Sequence, residues 1–354
     1  MSRKEYHKIY CFLTLHENPP TQLSSLHYAK IGSITIKNLF ATAETWPANF
    51  VSFFTGTYPS HNGIWENNDD MGPNIDSIAN YYSEEEHSSH FIGPNECEPL
   101  VKQLNFTTTF TSEQDETIHA QLMDFLDQEP INNFFLTYVT RSWNTECEEL
   151  IHNELLRSQS SGEEVLIITG RIGVINNKKK HVQEKQNQEK NQEGRDEKGE
   201  IGNFMHHSSM KLPFYLFSTK LNDHIEKKEL YSLVDIFPNV LMQQKKSVPY
   251  SMVGKKLPGL LKDEKEEPKK SRDHILFEYK NGNKSLITKK HKMDVSITKK
   301  KEEGNIFDLI KDPNETDNLW NNEAYKNLKQ KMMLQFLWAQ MQKEVTPMPR
   351  IAAA

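Results

Sequence analysis

Three short runs, residues 9–15 (IYCFLTL), 134–139 (FFLTYV) and 165–169 (VLIIT), are apolar almost without interruption. A strand with one wet face alternates apolar and polar side chains. An unbroken run is what a strand needs when both of its faces are covered. Around these runs the apolar spacing becomes helical. Ile118, Leu122, Phe125 and Leu126 share one face of a helix over 117–126, and 148–156 forms another. Buried strands interleaved with helices predict an α/β layering: a mainly parallel central sheet with helices on both faces.

The other elements fit around that sheet. Leu23, Leu26 and Ala29 predict a short helix before Gly32, and 34–40 alternates as a strand. A helix begins near Pro47, a favoured first-turn residue, and carries Phe50, Val51, Phe53 and Phe54. Helices are expected over 75–82 and over 229–242 around Pro238, and strands at 91–92 and 212–217. Residues 176–200 are a tract of Lys, Gln, Glu and Asn with almost nothing apolar to offset its ordering entropy, and read as an inserted loop. A second polar stretch, 262–272, sets off a tail with antiparallel strands at 274–279, 284–288 and 304–309 and a closing helix at 325–342. The expected division is an α/β domain over 1–260 and a smaller C-terminal α+β subdomain over 261–350.

Charge and composition exclude some roles. The net charge of -6 gives no basic face for nucleic acid. No segment approaches the ~20 apolar residues of a membrane span, and 9–15 is too short for a signal-peptide core. Three cysteines, Cys11, Cys97 and Cys147, lack metal-type spacing and suit a reducing compartment. A cytoplasmic protein without a membrane span is expected. Its oligomeric state is open.

The order of motifs resembles the sulfatase and phosphodiesterase branch of the alkaline phosphatase superfamily. Thr45-Trp46-Pro47, an apolar helix and then Thr55-Gly56-Thr57-Tyr58-Pro59-Ser60-His61-Asn62-Gly63 are similar to its nucleophile segment. Residues 74–81 (NIDSIANY) and 134–136 resemble the helix and core strand that follow. Lys211-Leu212-Pro213-Phe214 is similar to its Arg-Val-Pro strand. Residues 233–241 (LVDIFPNVL) and 305–319 (NIFDLIKDPNETDNL) resemble two later family segments. The resemblance spans nearly the whole chain and implies an alkaline-phosphatase-like (sulfatase) fold.

It also implies where chemistry belongs. The family joins a nucleophile to a divalent metal, calcium or zinc, that activates it and neutralises charge on the ester. Thr45 occupies the nucleophile position, and Asn49 stands nearest to the arginine that sulfatases place after theirs. Threonine does not yield the formylglycine of sulfatases but serves the superfamily's phosphodiesterases; read from the residues alone, it caps the helix at Pro47. His16 and Glu17 take the place of the first-strand aspartates. Where the family reads Asp-His or Asp-Asn, this chain has Arg171-Ile172. A guanidinium repels a cation, and isoleucine has no lone pair. His206, His207 and Glu200 are replacement ligands. Adjacent histidines on a strand would face opposite ways. Lys198 lies near the family's ester-gripping lysine, and His61 is structural. Residues 15–18, 45–49 and 170–173 are expected on one rim of the sheet, at the strands' carboxyl ends.

These residues support three readings. The first is a catalytically impaired or inactive sulfatase-like protein, a pseudoenzyme, that binds an anionic ester through Arg171, with Lys198 and His207 as further ligand-binding residues. The second is an active hydrolase of sulfate or phosphate esters in which Thr45 works with a metal held by His16, Glu17 and His206. The third is a scaffold whose polar tract and final helix make partner contacts.

Overall fold

The first apolar run becomes β1 (Lys8–Thr14), buried along its whole length. It lies between β5 (Phe134–Thr140) and β6 (Val165–Arg171) and runs parallel to both, with Lys8 opposite Phe134 on one side and Val165 on the other. The computed structural model describes residues 7–19, 32–84, 87–128, 133–143, 145–174, 204–257, 271–296 and 304–344. Outside them fall the helix expected at Leu23–Ala29, the tract at 176–200 with Lys198 and Glu200, and most of the second polar stretch.

The main sheet extends outward from β1. Beyond β5 come β3 (Ser88–Pro94) and the edge strand β4 (Thr108–Ser112). Beyond β6 come β7 (Lys211–Ser218), β2 (Ser33–Phe40) and β8 (His224–Lys227), with β9 (Tyr231–Ser232) also on β2. β7 runs antiparallel to both neighbours, and the remaining pairings are parallel.

Alternation along the strands divides the core in two. Ile9, Cys11 and Leu13 face one side and pack with the aromatic rings of α1 (Trp46–Thr55) and with Phe237. Tyr10 and Phe12 face the other, against Ile118 and Leu122 of the helix Asp115–Asp127 and Ile151 of the helix Thr145–Ser161. Both faces are therefore covered, as the unbroken runs require. A separate antiparallel sheet, β10 (Ile275–Glu278) to β13 (Gly304–Asp308) through β11 (Lys284–Ile287) and β12 (His291–Val295), packs Leu286, Met293 and Ile306 against Met332 and Phe336 of the C-terminal helix Lys326–Glu344. No helix among the described residues is long and apolar enough to cross a membrane.

Several elements differ from the sequence reading. β6 does not stop at Gly170 but continues to Arg171, which pairs with Thr14 of β1; the Phe214 ring lies 2.3 Å from where a Cβ on Gly170 would sit, so the glycine serves close packing inside the strand. The expected helix over 229–242 is instead β9, a tight turn at Leu233–Asp235 and a shorter helix, Ile236–Gln243. Asp235 breaks it by accepting from the Ser232 backbone N–H at 2.8 Å, which closes a capping box. β4, β8 and β12 had no apolar run to announce them.

Asp235 also receives the Lys255 backbone N–H at 2.7 Å and Arg272 Nε at 2.6 Å. The second polar stretch thus ends in a buried ion pair rather than in solvent. Beside it, His274 has a buried Nδ1 with no partner. Burial, reinforced by Lys255 and Arg272 and opposed by Asp273, pushes its pKa from 6.5 down to about 4. Below pH 6.5 the unfolded chain takes up a proton that the folded chain refuses. This stabilising contribution is therefore complete above pH 6.5 and lost as pH falls to about 4. Urea melts across that window should show a steeper loss for the parent than for His274→Gln, and equal slopes would refute the assignment.

Candidate ligand site at the carboxyl rim of the main sheet

The parallel strands bring their carboxyl ends to one rim, and register sets which residues meet there. Thr14 stands opposite Arg171 and Phe40 opposite Lys211. The Ile172 backbone N–H donates to the Thr14 carbonyl at 2.9 Å. Gly173 lies so close beneath the next residue that an added Cβ would be 2.0 Å from the Leu15 carbonyl oxygen and 3.5 Å from Trp46 Cβ. The end of β1, the head of α1 and the end of β6 therefore converge, as the sequence order led one to expect.

Thr45 occupies the N-cap position of α1 with extended backbone (φ -111°, ψ 148°), but its side chain makes no cap hydrogen bond. Its hydroxyl donates to the Trp65 carbonyl at 2.6 Å. Among the described residues no base or metal-type group is bonded to it. Asn49 is fully buried. Its Oδ1 accepts from the Thr42 N–H and hydroxyl, each at 2.9 Å, and from the Ala43 N–H at 3.0 Å. Its Nδ2 returns a bond to the Ala43 carbonyl at 2.9 Å. The side chain nearest to the family's arginine thus staples the loop between β2 and α1.

Arg171 is the unusual member of the rim. It is only 2% exposed. It donates from Nη1 to Asn18 Oδ1 and from Nη2 to the Lys211 carbonyl at 3.0 Å, while its buried Nε has no partner. No carboxylate pairs with it among the described residues. Burial pulls its pKa down to about 10, so it keeps its charge at neutral pH. Arg272 makes the contrast: burial lowers its pKa too, but Asp235 beside it more than restores it. Ordinarily a buried cation is paired. Lys211, at the start of β7, is half-buried, and desolvation lowers its pKa as well. Its Nζ donates to Asn38 Oδ1 at 3.0 Å.

The divalent metal that the fold implies does not fit these residues. A hard cation needs several convergent oxygens. Here a guanidinium stands at the rim, Ile172 is fully buried among apolar side chains, and the Asn18 oxygen is taken by Arg171. His16 and Glu17 are exposed, on a turn held by the Thr14 hydroxyl bonding to the Glu17 carbonyl.

A different set of ligand-type side chains does converge. His206, His207 and Glu315 bring one donor atom each within 4.8 Å of the others, the one such trio among the described residues, and neither His16 nor Glu17 belongs to it. The two histidines do not face opposite ways. They lie not on a strand but at the entry to a tight turn, His207–Met210, with ring centroids 4.7 Å apart. Glu315 is 108 residues from His207, and nothing in the sequence joins them. Burial alone would raise its pKa. The His207 hydrogen bond and Lys292 outweigh that and bring it down to about 2.

Comparison with known proteins bears on the fold. Residues 200–343 match the N-sulphoglucosamine sulphohydrolase C-terminal family. No curated protein matches the chain by sequence. Among solved structures, one in complex with its substrate D-glucosamine-2-N,6-O-disulfate is similar at TM-score 0.71 and 12% identity, over 95% of this chain and 97% of that one. A 2-O GAG sulfatase gives 0.68 and 12% over 96% and 93%. The phosphonate monoester hydrolase from Silicibacter pomeroyi gives 0.70 and 9%, over 96% of both chains. The chain therefore has the alkaline-phosphatase-like (sulfatase) fold, and its residues 200–343 are similar to a sulphohydrolase C-terminal region.

Proposed function

We propose that this chain binds a sulfated or phosphorylated small molecule at the carboxyl rim and does not hydrolyse it. The observation that carries this reading is Arg171, a buried guanidinium that among the described residues has no carboxylate partner and no partner for its Nε. A guanidinium presents a planar fork that matches sulfuryl and phosphoryl oxygens. It supplies the positive charge that a metal supplies elsewhere in the fold, but it has no lone pair to accept a proton from Thr45. Hydrolysis needs that activation and binding does not. Three buried cysteines, none of them in a disulfide, support a reducing, cytoplasmic setting.

Calorimetry with sulfate, inorganic phosphate and glucosamine 6-sulfate tests the reading. Binding is expected, and Arg171→Met should weaken it roughly 10- to 100-fold, as loss of charge-assisted hydrogen bonds implies. The same variant should be as stable as the parent or more so, because it removes a buried charge that has no counter-charge. Equal affinities in parent and variant would sink the proposal. Turnover of aryl sulfate or phosphate esters, abolished in Thr45→Ala, would establish the hydrolase reading in its place.

A further inference from the structure

We propose that His206 Nε2, His207 Nδ1 and Glu315 Oε1 form a transition-metal site of the zinc type that shares no residue with the Arg171 group. Such a site would tie the turn before β7 to the loop after β13. Two imidazoles and a carboxylate are the donor set that zinc prefers, and calcium or magnesium would ask for more oxygens.

The spacing suits a small tetrahedral ion. His207 Nδ1 is 2.8 Å and His206 Nε2 3.9 Å from the same carboxylate oxygen. Bonds of about 2.0–2.1 Å place tetrahedral ligands roughly 3.3 Å apart. The first pair must open slightly and the second close, both within the reach of side-chain rotation. Without an ion, Oε1 accepts from His207 Nδ1–H at 2.8 Å and from the His207 backbone N–H at 2.7 Å, and the ion would replace the first of these protons. The Pro313 carbonyl, 3.1 Å from His206 Nε2, or a water would face the fourth position.

The surroundings orient the donors as outer partners of a metal site do. Lys292 Nζ holds the other carboxylate oxygen, Oε2, at 2.7 Å, which leaves Oε1 turned to the histidines. Lys292 is itself fixed by the Met205 carbonyl at 2.6 Å and by Asp294 at 3.2 Å, so its charge is already matched by a second carboxylate. On His206, Nδ1 accepts from the Ser208 backbone N–H at 3.3 Å and lies 2.7 Å from the Ser208 hydroxyl, which fixes the ring, while Nε2 donates to the Pro313 carbonyl at 3.1 Å and would give up that proton to the ion. Glu315 has left-handed backbone (φ 54°), a conformation few side chains adopt, and this presents its carboxylate inward. The side chains of His206, His207 and Glu315 are 23%, 15% and 7% exposed, open enough for an ion to enter from solvent.

Cobalt(II) added to the metal-stripped protein tests the site, because tetrahedral cobalt has visible absorption bands that octahedral cobalt largely lacks. Stoichiometric uptake with those bands is expected. Zinc at about 100 times its Kd should raise Tm by roughly 3–5 °C. Both effects should disappear in the double variant His206→Gln/His207→Gln and persist in Arg171→Met. The second comparison separates this site from the rim, so neither proposal depends on the other's outcome. Absence of bands and of a Tm shift in the parent would overturn the inference, whatever the variants do. Unchanged uptake by a double variant with parental circular dichroism would overturn it as well.

Discussion

Asp235→Asn is expected to lower the unfolding free energy by about 3–5 kcal/mol, among the largest effects a single substitution here can have. The carboxylate is fully buried and receives the backbone N–H groups of Ser232 and Lys255 as well as two donors from Arg272. Asparagine keeps the shape but removes the charge, and turns an NH2 group toward donors that need an acceptor. Arg272, 5% exposed, would then be a buried cation with no counter-charge. The double variant Asp235→Asn/Arg272→Met should recover part of the loss, because it removes the buried cation that would lack a counter-charge while the asparagine oxygen still accepts a backbone N–H. Urea unfolding measures both. A loss below about 1 kcal/mol for Asp235→Asn would mean that water already screens the pair.

Phe54→Ala should cost a similar amount, about 3–5 kcal/mol, by a different mechanism. The ring is fully buried in α1 and lies 4.9 Å from Phe50, 5.0 Å from Phe53, 5.7 Å from Phe106 and 6.1 Å from Phe237, centroid to centroid. Truncation removes several edge-on aromatic contacts at once and leaves a void that the surrounding rings cannot close without shifting the helix. Because α1 carries Thr45 and Trp46 at its head, the same substitution should weaken anion binding at the rim. Phe54→Leu should lose far less of either. Thermal melts with and without sulfate distinguish the two consequences, and equal melting temperatures for Phe54→Ala and the parent would refute both.

The central strands β1, β5 and β6 were legible in the sequence because burial on both faces leaves little room for anything polar. β4 was not. Its TTFTS run is an edge strand, part-exposed, and no apolar pattern marks it. β12 was hidden for the opposite reason: Lys292 and Asp294 look like surface charges, yet both are buried and paired. At the rim, motif order located Thr45 and Arg171, and the fold brings their segments together. The same reading set Asn49 beside Thr45 as a catalytic residue, while its amide is spent on Thr42 and Ala43, because a buried loop must satisfy its own backbone groups first.

By itself the sequence determined the layering of the fold and the order of its central elements. Only the tertiary structure decided which charges have partners. Arg272 meets Asp235 across 37 residues, and His207 meets Glu315 across 108, while Arg171 meets no carboxylate among the described residues. Hydrophobic burial repeats with the period of strand or helix and is written into neighbouring positions. Electrostatic pairing depends on distance through space and on local desolvation, and no periodicity along the chain records either.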